Sequence, residues 1–411
     1  MMHTRQILLP SDVFPPRCGG AGWSAHALAL ALQTRGEQVT ALVPTLSDSA
    51  LFAGSATMAD VLGVPTVRTP TANYPWRVWR QSTMVAQLNQ ALRQLITLAP
   101  STIIHAQHIL SAQAAIPLQN RRTKVIITVR DHWPWDMRAT GMQMAGDQRT
   151  WQGLKATMQQ RALPLRQQLF IPAYVLQMRA RARLLSDAAA VIAVSQHMAK
   201  RITQHVPTAN VVAIPNMVDV ADIQQRIVNP PSVSIPERFA LFVGKLEANK
   251  GAQLLPELIQ HVRPPALVVA GDGPLSAQIQ QAAAQVNVPC VMLNWVDHDD
   301  VLRLMARCEA LWFPSSWDEP LSRVLLEALA CGAPIVAMPT GGTPEIIVDG
   351  VSGILAPDVS EFVTCARQLH ADSLLRKQLT HGAITHAQKT FAVPIVVTKV
   401  QQLYDQIVGV A

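Results

Sequence analysis

Charged residues, cysteines and long apolar runs are all scarce in this 411-residue chain. Charged residues make up 15% of the sequence and hydrophobic residues 49%, so the chain can bury a large core and lacks the composition of a disordered protein. No apolar run approaches the roughly 20 residues that a membrane-spanning helix needs, and residues 3–10 lack a signal-peptide core and a cleavage site. We therefore expect a cytoplasmic protein.

The cysteines are few, odd in number and widely spaced. They are Cys18, Cys290, Cys308, Cys331 and Cys365. No pair has the short spacing that is typical of zinc sites, and a scattered, odd set does not form a disulfide framework. We expect reduced cysteines that serve as packing residues.

Acidic residues are scarce in the amino-terminal half. Residues 1–215 hold 21 Lys and Arg against 8 Asp and Glu, a net charge of +13, whereas residues 216–411 hold 13 against 19, a net charge of −6. Such asymmetry predicts different partners for the two halves. No nucleic-acid-binding motif accompanies the basic half, so we expect no nucleic acid. An anionic membrane surface or a phosphorylated acceptor fits the charge better.

The length of the chain indicates two domains, because a single hydrophobic core stops growing at about 250–300 residues. Residues 215–219 close the first half, residues 229–236 are polar and rich in proline, and a new buried strand begins at Phe239. No internal repeat or low-complexity tract interrupts either half. The pattern favours two α/β domains.

The most informative stretch is residues 314–345, which read PSSWDEPLSRVLLEALACGAPIVAMPTGGTPE. An apolar run ends at its start, residues 315–320 are rich in turn formers, and residues 322–330 have the apolar spacing of a helix. Gly332 stands where a helix C-cap glycine belongs. The sequence therefore predicts a strand, a loop and a helix in succession.

A second strand and turn follow at once. Residues 334–338 form a short apolar run, Gly341-Gly342 predicts a turn, and Pro344-Glu345 marks a helix start. In an open α/β sheet, the loops at the carboxyl ends of strands hold the ligand, and the helices behind them present free N–H groups to anions. A phosphate group is the expected ligand.

Two glutamates flank the turn-rich loop and the helix behind it. Glu319 lies in the loop, and Glu327 follows eight residues later, inside the helix. Isolated acids at such positions are usually solvated surface residues. The motifs on both sides argue against that interpretation, because a short motif gains weight from its structural context.

The spacing of these glutamates resembles that of the retaining glycosyltransferases of family 4, which have the GT-B fold. The resemblance continues through Gly332-Ala333-Pro334, Gly341-Gly342-Thr343-Pro344-Glu345, Gly350 and Gly353. It covers nearly the whole chain except residues 137–185 and is strongest over residues 239–353.

The resemblance implies a GT-B fold, in which two Rossmann-like α/β domains face each other across a cleft. Residues 1–215 would then form an acceptor-binding domain and residues 216–390 a nucleotide-sugar-binding domain. The final segment, residues 391–411, would form a helix that packs back on the first domain.

The resemblance also implies roles for residues of the carboxyl half. Glu327 would bind ribose hydroxyls, and Glu319, with the backbone of Leu321 and Ser322, would orient the hexose. Ser322 replaces a glycine that is common in the family. In the family, the residues that match Asn294, Trp295 and Val296 line the nucleobase slot. The further donor contacts that the resemblance implies in this half are Gly244, Arg323 and Val324.

Two lysines follow the first strand of the carboxyl half. Lys245 stands where the family has arginine, and Lys250 matches a lysine of the family. Together with Gly20 they would hold the diphosphate, and two cations can neutralise a leaving diphosphate without a metal. A lysine lacks the bidentate grip of an arginine, and surface solubility is the alternative role for both. The acidic run at residues 297–300 is better explained as a helix cap than as a metal site, so we expect no metal.

The amino-terminal half opens as a βαβ unit with a glycine-rich first loop. Residues 6–10 predict a strand, residues 25–32 a helix and residues 39–43 a second strand. Glycines let a backbone approach a bulky anion, although tight turns need them as well. The spacing matches the family, in which the second glycine, Gly20 here, lies beside the donor diphosphate.

Buried strands are predicted at residues 103–106 and 125–129, and Arg130-Asp131-His132 follows the second. The family often has His-Asp at this strand end, so Arg130 takes the expected place of the histidine. We assign Asp131 and His132 to the sugar or acceptor side. The alternative is that they cap and brace the loop.

Residues 137–185 are predicted to be helical and to break at Pro164 and Pro172. Arginines alternate there with apolar residues, a composition that suits a helix on an anionic bilayer or a domain-packing helix with a wet face. The basic residues in question are Arg161, Arg166, Arg179, Arg181 and Arg183, and the aromatic ones Phe170 and Tyr174.

The resemblance thus implies a retaining hexosyltransferase that uses a nucleotide-diphosphate sugar and no further cofactor. The acceptor would be a glycan, a lipid-linked sugar or a small molecule, in cell-surface glycan or glycolipid synthesis. Three alternatives remain: a nucleotide-sugar epimerase, a sugar phosphorylase, and a non-catalytic relative that binds nucleotide-sugar or membrane. Fold-level similarity alone does not separate them.

Overall fold

The chain divides into two compact α/β units. The computed structural model of the chain describes residues 5–16, 18–46, 56–71, 77–96, 101–137, 139, 147–160 and 171–409. Unit 1 comprises Met1–Pro215 with Val396–Ala411, and unit 2 comprises Asn216–Ile395. None of the helices within the described ranges is long and apolar enough to cross a membrane. All five cysteines are free thiols.

Unit 1 is built on a sheet of eight described strands in the order β3-β4-β2-β1-β5-β6-β7-β8, parallel except for β3. The strands are β1 (Gln6–Pro10), β2 (Gln38–Leu46), β3 (Thr57–Val61), β4 (Val64–Thr71), β5 (Thr102–Ala106), β6 (Thr123–Val129), β7 (Ala190–Ala193) and β8 (Val211–Ala213). The described helices are α1 (Gly20–Thr34), α2 (Arg77–Leu95), α3 (Ile109–Ala115), α4 (Trp151–Gln160), α5 (Ile171–Asp187) and α6 (Gln196–His205).

Unit 2 is built on a parallel sheet of six strands in the order β11-β10-β9-β12-β13-β14. The strands are β9 (Ala240–Val243), β10 (Leu267–Ala270), β11 (Cys290–Asn294), β12 (Ala310–Phe313), β13 (Ile335–Ala337) and β14 (Ile354–Leu355). The helices are α7 (Val220–Arg226), α8 (Leu255–Val262), α9 (Ser276–Gln285), α10 (His298–Met305), α11 (Arg323–Cys331), α12 (Thr343–Ile346), α13 (Val359–Ala371) and α14 (Ser373–Thr390), and α15 (Val393–Val408) runs from unit 2 into unit 1.

Each sheet has a point at which the chain reverses its direction of growth. In unit 1 the chain leaves β1 through β2 to the β3–β4 edge and then returns to β5, on the other side of β1. In unit 2 it runs from β9 through β10 to β11 and returns to β12, on the other side of β9. Ligands of open α/β sheets bind at the carboxyl ends of the strands beside such a switch point.

Several predicted elements are confirmed and others differ. The predicted strands at residues 6–10, 103–106 and 125–129 are present. Helix α1 begins at Gly20, five residues earlier than predicted, so Gly20 and Gly22 lie in the helix and Gly19 is its N-cap. The β3–β4 hairpin was not predicted. Strand β4 contains Pro65 and Pro70, and proline is usually read as a strand breaker.

The carboxyl-terminal helix α15 contributes a core residue to unit 1. The Tyr404 hydroxyl lies 2.7 Å from His105 Nδ1, and the other ring nitrogen of His105 lies 2.6 Å from Thr128 Oγ1. All three side chains are buried. Burial lowers the pKa of His105 to about 3, with Arg130 adding to the effect, so the imidazole is neutral.

Candidate active site

The loop after β12 is held in place by two close backbone contacts. A Cβ on Gly341 would lie 2.3 Å from the carbonyl oxygen of Glu319, and a Cβ on Gly251 would lie 1.8 Å from that of Pro314. Both glycines also have positive φ angles, of 56° and 73°. Gly342 N donates to Glu319 O at 2.6 Å, which closes the contact. Glycine is therefore required at both positions to bring three loops together at the switch point.

Lys250 and Glu319 form an ion pair at the carboxyl ends of β9 and β12. Lys250 Nζ lies 3.0 Å from each carboxylate oxygen of Glu319, and it sits 4.4 Å from the centre of the Trp317 ring. The Ser315 hydroxyl lies 3.4 Å from Glu319 Oε2. The Glu319 side chain is 5% exposed and that of Lys250 26%, so the lysine is the more accessible partner.

Glu327 is buried on α11 and receives two cationic or polar partners. Arg323 Nε donates to Glu327 Oε1 at 2.7 Å, one helical turn away, and His298 Nε2 lies 3.0 Å from the same oxygen. Arg226 approaches the other ring nitrogen of His298 at 3.2 Å, which favours the tautomer with the proton on Nε2. Burial alone would raise the pKa of Glu327, but Arg323 and His298 outweigh it and hold the pKa below its usual value. The carboxylate is therefore ionised.

Helix α11 presents its amino terminus beside this cluster. The Ser322 side chain caps the helix by accepting from Leu325 N, and Gly332 ends it in a left-handed conformation with φ of 74°. Leu321 and Ser322 are buried, whereas Arg323 and Val324 are half-buried. The predicted helix, its start and its C-cap glycine are all confirmed.

The remaining predicted donor residues of unit 2 lie at the ends of β9 and β11. Gly244 has a φ of 146° and Lys245 beyond it is exposed, with no ion pair to any described residue. Asn294 has a φ of 54°, Val296 is half-buried, and the Trp295 side chain is 91% exposed. The Trp295 ring is therefore accessible to a ligand.

The acids at residues 297–300 are engaged in capping and in ion pairs. Asp297 accepts from Asp299 N at the start of α10, Asp299 pairs with Arg226, and Asp300 pairs with Arg303. Within the described parts of the chain, no group of three or more acidic, His or Cys side chains could hold a metal ion. The cap prediction is confirmed, with Asp297 as the N-cap residue and His298 as the first residue of α10.

The predicted residues of unit 1 lie at the start of α1 and in the loop after β6. Gly20 is the first residue of α1. Asp131 accepts a hydrogen bond from Trp133 N at 2.8 Å, and His132 is fully buried, with its ring 5.4 Å from that of Trp135. Burial raises the pKa of Asp131 to about 6, against the opposing effects of the Trp133 bond and Arg181. Asp131 therefore caps its loop and also has a pKa suited to proton exchange near neutral pH.

Two family models match the chain. The model of Glycosyltransferase Family 4 matches residues 18–222, and that of Glycosyl transferases group 1 matches residues 237–372. The chain belongs to the family 4 glycosyltransferases.

Curated relatives of this glycosyltransferase family are distant. Spore coat protein SA of Bacillus subtilis is 25% identical over 250 residues, which cover 54% of this chain and 66% of that protein. D-inositol 3-phosphate glycosyltransferase of Streptomyces bingchenggensis is 30% identical over 195 residues, which cover 41% of this chain and 40% of that protein. The chain thus spans less than two thirds of the length of these relatives.

Solved structures agree over the full chain and identify the fold. Sucrose-phosphate synthase from Thermosynechococcus elongatus aligns with a TM-score of 0.72 at 18% identity, covering 99% of this chain and 100% of that chain. HepE of Anabaena, solved with UDP-glucose, aligns with a TM-score of 0.65 at 18% identity, covering 98% and 99%. The predicted GT-B fold is confirmed for this glycosyltransferase.

Two contacts of the glycosyltransferase site could not be expected from its motifs. His298 was assigned to a helix cap, yet its ring bonds to Glu327, 29 residues further along the chain. Trp317 carries no family motif and lies over Lys250. A sequence signal did exist for the Arg323–Glu327 pair, because residues four apart on a helix lie side by side.

Proposed function

We propose that the chain transfers a hexose from a nucleotide-diphosphate sugar to an acceptor hydroxyl, with retention at the anomeric carbon and without a metal. The observation that carries the proposal is the pairing of Lys250 with Glu319 beside the Arg323–Glu327–His298 cluster. These groups lie on loops and a helix start at the switch point of unit 2, where nucleotides bind in open α/β sheets. The family to which the chain belongs supports this assignment.

Glu327 is suited to binding ribose hydroxyls. The two side-chain hydrogen bonds that it receives from described residues both end on Oε1, so Oε2 remains for a ligand. An ionised carboxylate accepts short, charge-assisted hydrogen bonds from hydroxyl groups. Arg323 and His298 keep the carboxylate ionised and fix its orientation.

Lys250 and Lys245 are suited to holding the diphosphate. Lys250 is neutralised by Glu319 in the structure, and a bound diphosphate would compete with that carboxylate for its ammonium group. Glu319 would then be released to accept hydroxyls of the hexose. As the anomeric bond breaks, the lysines stabilise the charge that develops on the leaving diphosphate. The acceptor oxygen then bonds to the anomeric carbon on the same face, and its hydroxyl proton passes to the departing diphosphate oxygen.

The acceptor would bind unit 1, and Asp131 and His132 would lie on the side of the site that holds the transferred sugar or the acceptor. We propose a glycan, lipid-linked or small-molecule acceptor in cell-surface glycan or glycolipid synthesis. HepE was solved with UDP-glucose, and Starch Synthase IV from Arabidopsis thaliana with ADP, so uridine and adenine donors are tested first.

Contact with an anionic membrane is a further proposal for α4 and α5. Their outward faces expose Trp151 and Lys155 on α4 and Leu176 and Arg183 on α5, a mixture of apolar and basic side chains. Arg161, Pro164, Arg166 and Phe170 lie outside the described residues. Sedimentation with phosphatidylglycerol vesicles, but not with phosphatidylcholine vesicles, would support the contact.

The test is binding and hydrolysis of a panel of UDP-, GDP- and ADP-sugars followed by NMR. We expect one donor to bind and to release its sugar slowly with retained anomeric configuration, and Glu327→Ala and Lys250→Ala to lose that binding. Glu361→Ala and Lys377→Ala remove matched, exposed charges of unit 2 and should bind as the wild type does. Donor turnover to an epimer without acceptor would indicate an epimerase, and phosphate-dependent release of a sugar phosphate a phosphorylase. Binding without turnover would indicate a non-catalytic relative.

A further inference from the structure

A cavity of about 330 Å³ lies at the carboxyl ends of the first strands of unit 1. Its walls are the loop after β1, at residues 12–16, the end of β2 at residues 43–45, and Arg68 with its neighbours on the β3–β4 hairpin. Strand β2 extends four residues beyond the register partner of Pro10, the last residue of β1, which leaves room above the sheet. The volume falls at the lower end of the range for small-molecule sites.

Asp12 does not offer its charge to this cavity. Its carboxylate oxygens accept hydrogen bonds from Leu110 N at 2.9 Å and from Ser111 N at 2.7 Å. These are free N–H groups of the first turn of α3, so the acid is used to cap that helix. The Thr66 hydroxyl in the wall is likewise used, because it donates to Val64 O at 2.9 Å.

Arg68 is the charged side chain of the cavity wall that remains for a ligand. It makes no hydrogen bond or ion pair with any described residue. Its strand β4 is flanked by β3 and β2, and its register partners are Thr57 and Val43, so no acid stands beside it on the sheet. Much of the wall is apolar, including Phe14 and Val43. A lone guanidinium at the rim of an apolar cavity is a recognition element for a phosphate or a carboxylate.

The charge of unit 1 reinforces this placement. Residues 1–215 carry a net charge of +13, and residues 396–411 add one lysine and one aspartate, so the unit as a whole stays at +13. A field of this sign concentrates anions at its surface and opposes cationic ligands.

We propose that Arg68 recognises an anionic group on the acceptor, a phosphate or a carboxylate, and that this cavity selects anionic over neutral acceptors. The inference rests on the proposed function only in treating the bound molecule as the acceptor of sugar transfer. The binding site itself is tested without any donor present.

The experiment compares glucose 6-phosphate, glucuronate and glucose as probes, with binding measured by calorimetry on the full chain. We expect both anionic sugars to bind and glucose to bind much more weakly. Arg68→Gln should weaken the anionic probes by about tenfold to a hundredfold, the range for charge-assisted hydrogen bonds. Arg68→Lys should bind the anionic probes with an affinity between those of the wild type and Arg68→Gln, because lysine keeps the positive charge but loses the bidentate geometry of the guanidinium.

Arg122→Gln is the matched control, because it removes the same charge from an exposed site just before β6, which lies on the other side of β1 from β4 in the same sheet. It should bind all probes as the wild type does. Equal weakening by Arg122→Gln and Arg68→Gln, or binding of glucose as tight as that of glucose 6-phosphate, would overturn the inference. Thermal unfolding of Arg68→Gln checks that the variant is folded.

Two further arms separate the source of the anion and the two proposals. Arg68-dependent sedimentation with phosphatidylglycerol vesicles, in place of binding to the soluble sugars, would identify a lipid-linked phosphate. Donor hydrolysis without acceptor, measured in parallel, reports on the proposed function alone. Donor hydrolysis without Arg68-dependent binding would contradict the cavity inference and support the proposed transferase function. Arg68-dependent binding without any donor turnover would support the cavity inference and contradict the transferase function.

Discussion

Asp131→Asn should make the protein more stable near neutral pH, although Asp131 is a predicted site residue. The pKa of Asp131 is raised to about 6 from an ordinary value of 3.8, chiefly by burial. That difference corresponds to about 3 kcal/mol of unfavourable free energy for the ionised carboxylate in the folded state. Asparagine has nearly the same shape and can still accept the hydrogen bond from Trp133 N, so the substitution removes the charge and little else.

The sign of the pH dependence follows from proton binding. Between pH about 4 and about 6 the folded protein holds a proton on Asp131 that the unfolded chain has released, so the wild type loses stability as the pH rises through this window. Above pH 6 the full penalty is present. Asp131→Asn should therefore match the wild type below pH 4 and exceed it by up to about 3 kcal/mol above pH 6.

Urea unfolding at a series of pH values measures this difference, with hydrogen exchange of the β6 peptide as a readout confined to unit 1. Asp187→Asn is the control, because Asp187 is an exposed aspartate at the end of α5. A stability difference that does not vary with pH, or an Asp131→Asn protein less stable than the wild type at pH 7.5, would refute the reasoning. If the stabilised variant also loses sugar transfer, we infer that the chain keeps the destabilising Asp131 carboxylate because its activity requires it.

Three further outcomes are expected from unit 2. His298→Ala should raise the pKa of Glu327, because it removes one of the partners that stabilise the ionised carboxylate. Nucleotide binding needs this carboxylate, so on acidification the variant should lose binding at a higher pH than the wild type does. A pH titration of nucleotide affinity measures this difference. Trp295 fluorescence should be quenched by a bound nucleobase, and Trp295→Ala should weaken nucleotide binding by about 1–3 kcal/mol if the ring stacks on the base, whereas unchanged emission would place the base elsewhere. Gly341→Ala should abolish donor binding, because its Cβ would overlap the Glu319 backbone, while Gly350→Ala, with a similar φ and open space around it, should retain binding at a modest cost in stability.

The local structure around Glu319 and Glu327 could be predicted from the sequence, because it is encoded within one short stretch. The helix over residues 322–330 follows from apolar spacing, its Ser322 cap and Gly332, all within one short stretch. The Lys250–Glu319 pair was not visible in the same way, since 69 residues separate its members. Its closeness follows from the strand order, which places β9 beside β12.

Unit 1 was less predictable for a related reason. The β3–β4 hairpin has prolines within a strand and no clean alternation, so its pairing depends on the neighbouring β2 and not on local preference. The cavity beside Arg68 exists because of that hairpin. His132 stands next to Asp131 in the sequence, yet its ring is buried against Trp135, a difference set by packing.

The passage of α15 from one unit to the other means that the two units are not separable by a single cut. A chain shortened after Ile395 would keep every strand of unit 2 and every strand of unit 1. It would nevertheless lose Tyr404, whose buried hydroxyl contacts His105 in the interior of unit 1. Loss of this side chain should leave a cavity and lower the free energy of unfolding of unit 1 by several kcal/mol. Truncation or substitution in the last residues of the chain should therefore destabilise the domain that is formed mainly by the first 215 residues.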